Sequence, residues 1–182
     1  MTDTKHTDVI GLLGPLRRYA RSLTRDGTQA EDLVQDTLVR AYERRGSFRP
    51  GGNLRGWLLA ILHNIFIDGR RRHMAEARRL EEASALADTA ALPEQEARIR
   101  LQQIKAAFLR LPDEQRAVLH LVAIEGLPYQ EAADALGIPI GTLMSRLGRA
   151  RAALRGFEAE GTGSQPSQSK RPGLRIVGGS NV

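Results

Sequence analysis

The chain has 182 residues, 41% of them hydrophobic and 26% charged, with a formal net charge of +6 carried mostly by arginine. That suits one or two small domains with modest cores, and the basic excess favours a polyanionic partner. With no cysteine, disulfides and thiolate metal sites are excluded, and the longest unbroken apolar run, Trp57 to Leu62, is far too short to span a bilayer.

The first residues, MTDTKHTDVI, place no basic stretch ahead of an apolar core, so no signal peptide is expected. Strand-like alternation is nearly absent. The expectation is a cytoplasmic, soluble, all-α protein without a membrane segment.

A first helix is predicted over residues 7–24, from Val9, Ile10, Leu12, Leu13, Leu16, Tyr19, Ala20 and Leu23, split or kinked at Gly14-Pro15. Asp26-Gly27 reads as a turn. Thr28 followed by Glu31 matches a capping box, which would start a second helix over residues 29–45. Its apolar stripe is Ala30, Leu33, Val34, Thr37, Leu38, Ala41 and Tyr42. The opposite face carries Asp32, Gln35, Asp36, Val39, Arg40 and Glu43. An ordinary solvated face explains it, with Val39 the one apolar residue out of place.

SFRPGGN, residues 47–53, is a loop by its Pro-Gly-Gly content. The most apolar helix follows over residues 54–73, burying Trp57, Leu58, Ile61, Leu62, Ile65 and Phe66. It is expected to end in Arg70-Arg71-Arg72-His73. Those cations fit a helix C-terminus, and they also fit phosphate. His63 beside Asn64, without acids or histidines at ligand spacing, reads as a hydrogen-bonded polar position rather than a metal site. Residues 74–93 change to an Ala/Glu-rich composition and read as a linker between domains.

An amphipathic helix is predicted over residues 94–111, through Ile99, Leu101, Ile104, Phe108 and Leu111, and another over 114–124. The next stretch, residues 127–154, has the form of a helix-turn-helix. Ala132, Ala133 and Leu136 share one face of a short helix. Gly137 permits a positive φ, and Pro139 prevents continuation. A basic helix then buries Ile140, Leu143, Leu147, Ala150 and Leu154. Thr142, Ser145, Arg146, Arg149, Arg151 and Arg155 lie on its other side, with no acid between Ile140 and Gly156. A helical hairpin with a solvated basic face is the bland reading. The small alanines, the glycine turn and the one-sided charge favour DNA binding. Residues 157–182, rich in Gly, Ser, Gln and Pro, read as a disordered tail.

Two long motifs carry a resemblance. EDLVQDTLVRAY (31–42) with LRGWLLAILHNIFID (54–68) resembles region 2 of a bacterial sigma factor. LPDEQRAVLHLVAIEGLPYQEAADALGIPIGTLMSRLGRARAAL (111–154) resembles region 4. Their spacing is similar to that of the extracytoplasmic-function subfamily of sigma-70-type factors. The resemblance implies two small helical domains, region 2 over residues 7–73 and region 4 over 94–156, joined by a flexible linker. It also implies a factor without catalytic activity or cofactor that directs core RNA polymerase to promoter DNA. Asp32, Gln35, Asp36 and Val39 would dock on the β′ clamp helices, and region 4 on the β flap. The loop with Phe48, Arg49 and Asn53, together with Asn64, Asp68 and Arg71, would engage the −10 element. Thr142, Ser145, Arg146 and Arg149 would read the −35 element, where arginine can pair bidentately with guanine. An anti-sigma factor is an implied partner.

Three positions depart from the family pattern. Pro128 stands where a capping Ser is frequent, Met144 where Lys is frequent, and Gly148 lies inside the recognition helix, for close packing or at the cost of a looser C-terminal half. Two rival readings remain at this level. One is a stand-alone helix-turn-helix regulator that binds duplex DNA as a dimer, and the other is a helical protein–protein adaptor.

Overall fold

The computed structural model describes residues 4–77 and 96–161. They form α1 (Thr4–Thr24), α2 (Gly27–Glu43), a 3-10 turn (Arg45–Ser47), α3 (Leu54–Ala77), α4 (Glu96–Arg110), α5 (Asp113–Leu119) with a π turn (His120–Ile124), α6 (Tyr129–Leu136) and α7 (Ile140–Gly161). No strand occurs among the described residues. Most of the predicted linker, residues 78–93, and the tail beyond Gly161 lie outside them.

Helix α1 is not split, because Pro15 lies inside a continuous helix. The carbonyl that Pro15 cannot serve belongs to Gly11, at an exposed position where water can take the bond. Arg25, at φ 61, turns the chain left-handed and sets Asp26 in extended conformation. Asp26 therefore caps α2, its Oδ1 accepting from the Gln29 N–H at 2.7 Å. The predicted Thr28–Glu31 capping box is corrected accordingly. Glu31 instead accepts from Arg17 at 2.9 Å and from Arg21 at 3.5 Å.

Ala30, Leu33, Val34, Thr37 and Ala41 of α2 are buried. Tyr42, predicted to join them, is exposed and carries the Arg45 guanidinium 4.3 Å from its ring centre. Helix α3 continues to Ala77. Arg70–His73 therefore do not sit at a helix C-terminus, and the macrodipole no longer explains that cluster.

In the second half, Leu101 and Ile104 of α4 are exposed, against expectation, while Ala107 and Leu111 are buried. The Glu125 N–H bonds the His120 carbonyl at 2.9 Å, and Gly126 at φ 65 ends that helix. No side chain caps α6. Its first backbone bond runs from the Ala132 N–H to the Pro128 carbonyl at 2.9 Å. At its end Gly137 takes φ 62, and the Ile138 N–H bonds the Ala133 carbonyl at 3.1 Å, a Schellman closure. Leu143, Leu147 and Ala150 of α7 are buried, but Ile140 is 42% exposed.

The two halves share one hydrophobic core, with α3 packed on α6 and α1 on α5. Among the described residues no helix is long and apolar enough to cross a membrane.

Candidate polymerase and nucleic-acid interfaces

On α2, Asp32, Gln35, Asp36 and Val39 recur at three- and four-residue spacing and form one outward stripe. All four are exposed, Val39 at 60%. The closed packing of the two halves leaves this stripe open. A groove of about 480 Å³ runs beside it between α2 and α3, lined by Asp32, Asp36, Phe66 and His73 among others.

The loop before α3 is built by RPGG. The Gly52 N–H bonds the Arg49 carbonyl at 3.0 Å, with Pro50 at the second position and Gly51 at φ 81, so the turn is type II. Phe48 lies over Trp57, ring centres 5.2 Å apart, which pins the loop to α3. Arg49 is exposed at the turn. Asn53 caps α3, its Oδ1 accepting from the Gly56 N–H at 3.0 Å, a structural role not expected from the sequence. Its Nδ2 donates to Glu131 of α6. Asn64, Asp68 and Arg71 are exposed and share one face of α3.

On α7, Ser145 and Arg149 are exposed, and Arg149 Nη2 donates to Ser145 Oγ at 3.1 Å. Thr142 is half-buried. Arg146 is held by Glu114 at 2.6 Å and is only 24% exposed. The structure thus brings the four predicted residues onto one helix face, with one of the two arginines engaged by an acid.

Sequence reasoning missed the charged joint between the halves. Arg116 is fully buried. Its guanidinium donates to the Ser22 and Leu23 carbonyls at the end of α1, to the Leu109 and Leu111 carbonyls at the end of α4, and to Asp113. A cation between two helix C-termini meets the negative ends of both dipoles. Burial lowers its pKa to about 10, helped by Arg25 and Arg70, so it stays charged at neutral pH.

Glu125 is also buried. Its carboxylate takes Arg18 at 3.1 Å, Arg55 at 3.2 Å and His120 Nε2 at 3.3 Å. Burial alone would raise its pKa, but the His120 hydrogen bond, with Arg18 and Arg55, outweighs burial and holds it below its ordinary value. Tyr19 fills the space between, its ring 5.0 Å from that of His120 and its hydroxyl 3.0 Å from His63 Nδ1. Burial first, then the positive charge of Arg146, lowers the His63 pKa to about 4. The one visible signal was His120 itself, a polar residue inside the apolar run AVLHLVAI.

This is the architecture of a two-region, helix-turn-helix transcription factor, with an exposed acidic stripe on α2. Residues 11–76 match Sigma-70 region 2, and residues 101–154 match Sigma-70, region 4. ECF RNA polymerase sigma factor EcfG of Rhodopseudomonas palustris is 37% identical over 154 residues, 85% of this chain and 84% of that one. SigM of Mycobacterium tuberculosis, another ECF factor, is 37% identical over 140 residues, 76% of this chain and 69% of that one. The fold is similar to that of the sigma factor RpoE in complex with the anti-sigma factor NepR from Bartonella quintana, with TM-score 0.75 and 35% identity over 87% of this chain and 98% of that one. CnrH in complex with the cytosolic domain of CnrY gives TM-score 0.60 and 28% identity, over 85% of this chain and 87% of that one. The chain belongs to the ECF family of RNA polymerase sigma factors. Sigma factors are DNA-binding regulators that bind core RNA polymerase and direct promoter-specific initiation. The stand-alone dimeric regulator is not favoured.

Proposed function

We propose that this sigma factor docks on core polymerase through Asp32, Gln35, Asp36 and Val39 of α2. In this reading the loop with Phe48, Arg49 and Asn53, and the α3 face with Asn64, Asp68 and Arg71, open and hold the −10 element. Holding a flipped base costs a few kcal/mol of unstacking, roughly, which stacking and phosphate contacts must return. Thr142, Ser145, Arg146 and Arg149 read the −35 element. The protein acts in the cytoplasm. An anti-sigma factor holds it in check, a control supported by the similar structures of RpoE with NepR and of CnrH with the cytosolic domain of CnrY.

The observation that carries this reading is the exposure of the α2 stripe while the two halves are closed on each other. Polymerase can therefore engage region 2 first, before region 4 leaves it. Pull-down with core polymerase tests the docking face, and run-off transcription tests the outcome. Asp32→Arg with Asp36→Arg should abolish both and leave the fold intact by circular dichroism. Undiminished polymerase binding by that variant would overturn the assignment.

A further inference from the structure

Three carboxylates of the second half sit on a basic strip of the first. Glu125 takes Arg18 of α1 and Arg55 of α3, at 3.1 and 3.2 Å. Asp113 takes Arg25, at 3.5 Å, and Arg70 near the other end of α3. Glu131 takes the Asn53 amide at the loop. Arg55 and Arg70 are fifteen residues apart on one helix, about 22 Å of rise and within about 60° of rotation. A nucleic-acid strand covers that length with about six phosphates, at about 3.4 Å per nucleotide. On α3 the strip is not the face of Asn64, Asp68 and Arg71, which lies roughly opposite Arg55 and stays exposed.

We infer that Arg18, Arg25, Arg55 and Arg70 form a second nucleic-acid site, one that takes the phosphodiester backbone and that region 4 occupies with its own carboxylates while the protein is closed. Each carboxylate stands where a phosphate oxygen would, and arginine pairs with either in the same bidentate geometry. Bare, the strip presents four cations, three of them already about half exposed in the closed form, and a polyanion bridging them would take the place of region 4's carboxylates. Glu125 is fully buried in the closed form, and for such a pair desolvation largely offsets Coulomb attraction. The ionic contacts therefore fix the register of closure, and a polyanion that offers the arginines equivalent oxygens can displace them. A strand gripped at Asn53 would run onto the strip, which starts two residues further on at Arg55. The inference rests on the reading of the chain as an initiation factor, but its test needs no polymerase.

The test uses the full chain, which lacks cysteine, with Ser47→Cys and Ala152→Cys labelled for energy transfer. A random-sequence 20-nucleotide single strand, a 20-base-pair duplex and polyglutamate are added separately. The expected result is high transfer alone, a fall with the single strand, and no fall with polyglutamate. Asp113→Asn, Glu125→Gln and Glu131→Gln together should lower transfer without ligand and tighten single-strand binding at least tenfold. The slope of log affinity against log salt for that variant should be steeper than in the parent by about 3, four phosphates at about 0.7 each. Arg18→Gln with Arg55→Gln should open the chain but withhold about half of that slope. Unchanged transfer at saturating single strand in the parent chain overturns the proposal, whether or not the variants fold. Opening by polyglutamate alone overturns it too, in favour of an acidic protein partner. Failure of run-off transcription with intact strand-driven opening would instead strike the initiation reading.

Discussion

Replacing Arg116 by methionine keeps an apolar stem of similar length and removes one buried cation. Four main-chain carbonyls lose a donor, those of Ser22, Leu23, Leu109 and Leu111. Asp113 does not become an orphan, because Arg25 and Arg70 still face it. Hydrogen bonds to a charged group are each worth about 1.5–3 kcal/mol. Summing four would overshoot, since methionine also lifts the desolvation cost of the guanidinium. Breaking a buried ionic set at one partner costs about 3–5 kcal/mol, and the surviving Asp113 pairs place this site near the lower figure. Urea denaturation followed by far-UV circular dichroism should thus report a loss of about 3 kcal/mol for Arg116→Met. At about 2–4 °C per kcal/mol for a chain of this size, Tm should fall by about 6–12 °C. Arg116→Lys keeps the charge but lacks the planar fork, so it should recover only part of the loss. A loss under about 1 kcal/mol for methionine, or a lysine variant no better than methionine, would refute the account of Arg116 as the joint between two helix ends.

Gly148 is exposed in α7 and a Cβ there would meet nothing within 4 Å, so close packing does not explain it. Gly148→Ala should stabilise the protein by about 0.5–1 kcal/mol in the same denaturation assay. Gly137→Ala has equal room but a φ of 62, and should cost about 1–2 kcal/mol. The His63 pKa is lowered from 6.5 to about 4, so the unfolded chain takes up that proton first. Stability should be complete above about pH 6.5 and fall as the pH drops toward 4, by at most about 3 kcal/mol. His63→Gln should flatten that part of the profile. The Glu125 contribution, from a depressed carboxyl, is present above its ordinary value and is lost only as the pH falls through the folded one. The two windows are therefore separable by titrating stability from pH 7 downward.

Helices and turns were legible wherever the cause lay within a few residues, whereas the N-caps Asp26 and Asn53 were not read. The α2 stripe of Asp32, Gln35, Asp36 and Val39 could be read from periodicity, and the helix-turn-helix from Gly137 and Pro139. Errors arose where two local signals competed. Asp26 and Thr28 are both good caps, and the left-handed Arg25 decided between them. Pro15 signalled a break that an exposed Gly11 carbonyl made unnecessary. Leu101 and Ile104 fit the helical period of α4 but are left exposed, because that helix packs through Ala107 and the half-buried Phe108 near its end, with Leu111 just beyond it.

The sequence by itself determined an all-α chain, its two sigma-type regions, the residues facing outward on α2 and the polar face of α7. The two regions rested on a resemblance; the rest follows from repeats of three or four residues, or from a turn that glycine or proline favours. Only the tertiary structure decided that region 4 lies closed on region 2, that Arg116 and Glu125 are buried, and that Asn53 and Arg146 already hold acids. Arg18 meets Glu125 across 107 positions, and Asn53 meets Glu131 across 78. A charge paired over such a distance leaves no periodic trace in the chain, because its partner is chosen by packing and not by spacing.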